Sequence, residues 1–218
     1  MRVVLIHGVA TDSRVWAATV AALGPSVEVA CPDRPQSGDM DTEIAALAPL
    51  CEQAFVIGVS GGATLGLEMA SRGVHFTGAL LHEPAAGSLA PGLLDDVARA
   101  FERDGVPGFG CALYGAGWGP DLTTASRDTV ARELAMFRAF EPQPVGPSAD
   151  RITLTVGERS SPARHRSVES LAAALGTKRR VLPGVGHAVH LEDPEQLTAP
   201  VQTLQADPVN AVTTTIYY

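Results

Sequence analysis

Gly58-Val59-Ser60-Gly61-Gly62 stands between an apolar run, Ala54-Phe55-Val56-Ile57, and a stretch of small residues, Ala63-Thr64-Leu65-Gly66-Leu67. The apolar run reads as a buried strand and the following stretch as a helix, so the pentapeptide is a sharp strand-to-helix turn. A serine hydroxyl is a weak nucleophile, and such a turn thrusts it out to where a base can reach its proton. Side chains at Gly58 and Gly62 would collide with neighbouring backbone. The helix that begins after Ser60 aims free N–H groups and its positive dipole end at developing negative charge. An ordinary glycine-rich turn is the plain alternative; the strand before and the helix after favour the nucleophile turn.

Working outward, strand-like runs alternate with helical patterns. Residues 2–6 form a strand ending in His7-Gly8-Val9, and Ser13 can cap a helix through Leu23. Residues 27–31 are a second strand, followed by the loop Pro32-Asp33-Arg34-Pro35 and a helix over 41–51. The Ser60 strand comes third, its helix running to about Arg72; strands at 77–82 and 152–156 follow, and a last one from Arg180 runs into Pro183-Gly184-Val185-Gly186-His187. This alternation predicts an α/β fold, a mostly parallel sheet with helices on both faces. The expected organisation is a core of residues 1–84 and 151–206, a helical insertion over 85–150 after the fourth strand, and a tail over 207–218 that does not fit a terminal helix. Within the insertion, helices are expected over 93–103 and 127–140, separated by Pro107-Gly108-Phe109-Gly110 and by the glycine-rich stretch 115–120.

Composition narrows the classes. With 218 residues, 45% hydrophobic and 18% charged, the chain can bury a substantial core. Sixteen basic against 24 acidic residues give a net charge of -8, which disfavours nucleic acid and favours neutral or modestly charged small molecules as partners. Cys31, Cys51 and Cys111 are odd in number and scattered without metal-ligand spacing, so buried free thiols are expected. No phosphate-binding glycine loop follows the first strand, and neither a metal nor a cofactor is expected. No apolar stretch reaches the roughly twenty residues of a membrane span. Met1-Arg2 leads directly into the first strand with no signal-peptide pattern, so the expectation is a cytoplasmic protein, and the abundance of Ala, Gly, Pro and Arg points to a bacterial coding sequence.

Three ordered motifs, His7-Gly8-Val9, the Ser60 turn and Gly186-His187, give the chain a form that resembles the α/β-hydrolase family over nearly its whole length. The resemblance implies Ser60 as nucleophile, His187 as base, and the backbone N–H groups of Val9 and Gly61 as oxyanion donors. It also implies that the insertion is a small cap over the serine. Trp118, Tyr114, Phe137 and Phe109, with Phe101, Met136 and Phe140, either line the substrate pocket or pack against the domain beneath. His7 and His190 are expected to be structural, and Asp33 and Arg34 to form a structural loop or the mouth of the site. Asp12 and Ser13 fit one helix start, Asp193 and Glu195 another.

The acid that orients the histidine departs from the family pattern. Relatives usually place an aspartate three residues after the glycine that ends the strand beyond the cap; in Gly157-Glu158-Arg159-Ser160 that position is Ser160, which has no carboxylate. Glu83, which ends the fourth strand in His82-Glu83-Pro84, is the first candidate, since some relatives take the acid from this strand end; many others carry a glutamate in this turn beside the usual aspartate, where it is a structural residue bonding backbone amides. Glu158 is the alternative, and a serine-histidine pair without an acid is a third. The function implied is a cofactor-independent serine hydrolase of a small or medium apolar ester, thioester or lactone. A lyase, C–C bond hydrolase or biosynthetic tailoring enzyme on the same scaffold, and a ligand-binding or signalling protein with residual hydrolysis, are the other two readings.

Overall fold

The computed structural model describes residues 1–206 of the chain; the expected tail over 207–218 lies outside the described residues. Six strands, β1 (Arg2–Ile6), β2 (Glu28–Ala30), β3 (Phe55–Val59), β4 (Gly78–His82), β5 (Ile152–Gly157) and β6 (Lys178–Leu182), form one sheet in the order β2-β1-β3-β4-β5-β6. Every pairing is parallel. β3 and β4 are buried at every position, as strands covered on both faces must be, which is why they read as continuous apolar runs without alternation. Helices α1 (Ala17–Leu23), α7 (Val189–Glu192) and α8 (Glu195–Ala206) cover one face, their Leu23, Val189, Leu197 and Val201 packing with Val3, Leu5 and Ile57. Helices α2 (Met40–Cys51), α3 (Gly61–Ser71) and α6 (Pro162–Leu175) cover the other.

The chain winds from β1 to β2 on one side and returns through β3 to the other, so the order reverses between β1 and β3. A crevice opens at such a reversal, at the carboxyl ends of the strands. Here it gathers His7 after β1, Ser60 after β3 and Glu83 after β4.

The turn after β3 is held by backbone contact. Ser60 has φ 57° and ψ -118°, a conformation that L residues rarely adopt. A Cβ on Gly62 would sit 2.0 Å from the Ile6 carbonyl oxygen, and one on Gly58 2.6 Å from that of Gly62. Neither position can carry a side chain without pushing β1, β3 and α3 apart.

Between β4 and β5 the insert carries α4 (Asp95–Tyr114) and α5 (Arg127–Arg138). The first expected break is instead a kink inside α4, at Gly105 with φ 65° and ψ -145°. Pro107 follows the kink within the first turn of the restarted helix, where its missing N–H costs nothing. Three further expectations are corrected. The first helix opens with a 3₁₀ turn, Ser13–Trp16, capped by the Asp12 carboxylate rather than by Ser13. α5 ends at Arg138, short of Phe140. Of the three free cysteines Cys51 is buried and Cys31 half-buried, but Cys111 is exposed. Among the described residues no helix is long and apolar enough to cross a membrane.

Gly62→Ala is expected to destabilise the protein by about 3 kcal/mol or more in urea unfolding, because backbone must move to admit the methyl group. Gly176→Ala, at φ 68° with open space around it, is expected to cost only about 1 kcal/mol.

Candidate active site

Ser60 stands at the N-terminus of α3, its own N–H donating to the His82 carbonyl at 2.8 Å. The N–H of Gly61 opens the helix, and neither it nor the N–H of Val9 has a hydrogen-bond acceptor among the described residues. Ser60, Val9 and Gly61 border a cavity of about 20 Å³, room for about one water molecule. Phe109, Leu113, Leu134 and Phe137 of the insert roof it.

The Gly184 turn, with φ 68°, brings His187 back over the sheet. His187 Nδ1 lies 2.7 Å from Glu83 Oε2. An ionised carboxylate only accepts, so Nδ1 carries the proton and Nε2 keeps its lone pair. Nε2 is buried and has no hydrogen-bond partner among the described residues. No hydrogen bond joins it to the Ser60 hydroxyl in this state. The Tyr114 ring stacks on the imidazole instead, centroids 5.7 Å apart at 28°, and its hydroxyl donates to the Val9 carbonyl at 2.8 Å. A Cβ on Gly8 would lie 2.4 Å from that hydroxyl and 3.2 Å from the Ser60 Cβ, so Gly8 is what lets phenol and serine approach.

Glu83 is an acceptor surrounded by donors. Oε1 takes the Gly157 N–H at 3.0 Å and the Ser160 hydroxyl, while Arg164 Nε stands 3.3 Å from Oε2. Burial alone would raise this carboxyl, but the His187 hydrogen bond and the charges of His187, His82 and Arg164 hold it well below the usual carboxylate range. Ser160 therefore sits where relatives usually carry an aspartate and donates to a carboxylate supplied from the next strand. For His187, burial pushes the pKa down, the Arg164 cation pushes the same way, and Glu83 pulls back; the result is about 4. His82 bridges Thr155 Oγ1 at 3.0 Å and the Gly186 carbonyl at 3.1 Å, fixing the peptide that leads into His187.

Other expected site residues lie elsewhere. Glu158 is exposed and accepts the Gly184 N–H at 2.7 Å, so it braces the histidine turn from outside and does not reach the imidazole. Trp118 is not on the cavity wall; its indole N–H donates to the Ala10 carbonyl at 2.8 Å and pins the insert to the loop after β1. Phe109 and Phe137 line the cavity, whereas Phe101, Met136 and Phe140 are buried in the core. Asp33 accepts the Ser13 N–H at 2.8 Å. His7 is buried, takes the Arg34 N–H on Nε2 and donates Nδ1–H to the Gly8 carbonyl, and burial holds it at about 3. His190 packs between Trp16 and Tyr114. Among the described residues no group of three or more His, Cys, Asp or Glu could hold a metal ion.

Residues 3–200 match the sequence model of the alpha/beta hydrolase family. The chain belongs to that family. No curated protein matches it significantly in sequence. Among solved structures, this alpha/beta hydrolase is similar to a carboxylesterase of the thaumarchaeon Nitrososphaera gargenis (TM-score 0.75, 16% identity, 97% of this chain and 92% of that one). It is also similar to the enol-lactonase of Burkholderia xenovorans LB400 (TM-score 0.72, 19% identity, 94% and 91%) and to MenH of S. aureus (TM-score 0.70, 16% identity, 93% and 92%). At these identities the likeness is one of fold.

Two buried arginines stand next to this hydrolase's site, one missed by sequence reading and one whose partners it does not show. Arg164 lies in the first turn of α6 and carries no local signal for a contact with Glu83. Arg34, expected in a loop, is wholly buried: Nη1 pairs with Glu43 at 2.9 Å and Nη2 with Glu133 of the insert at 2.6 Å. Its Nε donates to the His7 carbonyl and Nη2 to the Gly8 carbonyl, both at 3.0 Å. A trans peptide points its N–H opposite to its C=O, so the grip on the Gly8 carbonyl also sets the direction of the Val9 N–H. Arg34→Met leaves two carboxylates buried without a counter-charge and is expected to cost about 3–5 kcal/mol in urea unfolding. Arg72→Met, which removes half-exposed pairs with Asp41 and Glu68, is expected to cost less than about 1 kcal/mol.

Proposed function

We propose that this chain is a cofactor-independent serine hydrolase of small or medium carboxylic esters, thioesters or lactones, with Ser60 as nucleophile, His187 as base and Glu83 as the orienting acid. The observation that carries the reading is the 2.7 Å pair of His187 Nδ1 and Glu83, which leaves a bare Nε2 in a buried crevice that also holds a serine on a strained strand-to-helix turn.

In this reading the insert is a cap. Its apolar roof of Phe109, Leu113, Leu134 and Phe137 favours an apolar acyl chain, and a cavity of about 20 Å³ means that the cap lifts before a substrate binds. As it lifts, Tyr114 leaves the face of His187, and Nε2 can reach the Ser60 hydroxyl. Ser60 Oγ attacks the carbonyl carbon while Nε2 takes its proton. The N–H groups of Val9 and Gly61 hold the tetrahedral oxyanion. The imidazolium, stabilised by Glu83, returns the proton to the departing alkoxide or thiolate. Water, deprotonated by the same nitrogen, then releases the acid and regenerates Ser60. The absent hydrogen bond between Ser60 and His187 favours a second reading, in which the pair moves protons in a lyase or C–C bond hydrolase.

The test is steady-state hydrolysis of 4-nitrophenyl butyrate. Ser60→Ala is expected to lose about 10⁴-fold or more in kcat and Glu83→Gln about 10³-fold, each with an unchanged fold by circular dichroism. Full activity in Ser60→Ala excludes the covalent mechanism. Full activity in Glu83→Gln removes the acid.

The base must be unprotonated, and the His187 pKa is lowered to about 4, so activity is present above that value and lost as pH falls through it. A pH profile of kcat/KM is expected to show its acid limb near pH 4, well below the roughly 6.5 of a free imidazole. A limb near 6.5 contradicts an enclosed, carboxylate-bound His187.

A further inference from the structure

Arg164 is costly where it stands. Its side chain is only 12% exposed, and burial opposes a guanidinium charge. It meets Glu83 through Nε alone, at 3.3 Å, and its two terminal Nη groups have no acceptor among the described residues. Glu83 has this cation as its counter-charge but uses only Nε, and its hydrogen bonds come from His187, the Gly157 N–H and the Ser160 hydroxyl. The planar edge that binds carboxylates in a two-pronged fashion is thus unused.

The position of that edge gives it a use. Arg164 lines both the small cavity over Ser60 and a groove of about 630 Å³ that reaches His187 and Gly186 from outside. Leu93, Val97 and Leu113 of the insert belong to both spaces, so one apolar wall runs from the groove to the serine. The other charges of the groove are distinct in state: Arg159 pairs with Glu192 and Asp96 with Arg99, both at the surface, and Arg166 is exposed. Arg164 alone is sheltered and cationic with its Nη edge unused, and it lines the cavity over Ser60.

We infer that Arg164 binds a carboxylate carried by the substrate, so that the hydrolase acts on esters, thioesters or lactones whose apolar chain ends in, or bears, an anionic group. The chain lies along the Leu93, Val97 and Leu113 wall, the carbonyl meets Ser60, and the carboxylate takes the two Nη groups. The inference rests on the serine hydrolase reading above and narrows its substrate class. It runs against the charge of the whole chain, -8, which gives no long-range attraction for anions; the selectivity is local.

The test compares 4-nitrophenyl monoesters of succinate, glutarate and adipate with the neutral butanoate, pentanoate and hexanoate esters of the same chain length, uncatalysed rates subtracted. The native protein is expected to prefer the anionic ester by about 10- to 100-fold in kcat/KM at one or more lengths, the worth of a charge-assisted hydrogen-bond pair. Arg164→Gln is expected to erase that preference and Arg164→Lys to retain part of it. Because the readout is a ratio within one preparation, a partly folded variant does not disturb it. A purely structural role beside Glu83 lowers both series alike, so an unchanged ratio in Arg164→Gln overturns the inference. Equal use of both series by the native protein overturns it while leaving the hydrolase reading intact; turnover of neither series overturns both.

Discussion

Everything near the site depends on how closely three backbones meet behind Ser60. The Gly62 Cα faces the Ile6 carbonyl with no room for a methyl group, and Gly58 faces the carbonyl of Gly62. This contact lets β1, β3 and α3 converge tightly enough that Ser60 is forced to φ 57° and projects from the carboxyl edge of the sheet. Because β1 and β4 flank β3, the same convergence delivers the Val9 N–H on one side and Glu83 on the other. Local strain at one residue is thereby supported by the burial of a whole parallel sheet.

In the proposed reading the acid that orients His187 comes from the end of β4. A carboxylate reaching the imidazole from β4 is one strand nearer the nucleophile than one from β5. With Glu83 in that place, the β5 end needs a donor rather than a second acid, and Ser160 with the Gly157 N–H supplies two. Two carboxylates there would repel each other and raise one pKa. In this chain the two positions meet as donor and acceptor, Ser160 bonding the carboxylate of Glu83.

Much of this was legible in the residues. The apolar runs at β3, β4 and β5 and the glycine-flanked Ser60 are local signals, and they carried the fold class and the strand-to-helix turn, while the family resemblance supplied His187 as base and Glu83 as first candidate for the acid. What stayed hidden was set by tertiary contact. Pro107 and Gly108 read as a loop because their neighbours in space are invisible in sequence, yet a single glycine at 105 absorbs the bend and the helix resumes. For Trp118 the sequence left pocket lining and packing against the domain beneath both open, and its indole N–H decides for the second through the Ala10 carbonyl. Arg34 read as part of a structural loop or the mouth of the site and Arg164 drew no reading, yet both are buried, one as the ionic tie between core and insert, the other between cavity and groove. Buried arginines of this kind are recognisable only once their partners, 9 to about 100 positions away, are seen beside them.

The claim on which the rest turns is that Ser60 is an activated nucleophile. Intact-mass analysis after treatment with a fluorophosphonate tests it without knowledge of the substrate. The account predicts a single adduct on the native chain, absent in Ser60→Ala and slower to form in Glu83→Gln. An adduct that persists in Ser60→Ala, or no adduct on a well-folded native chain, contradicts it.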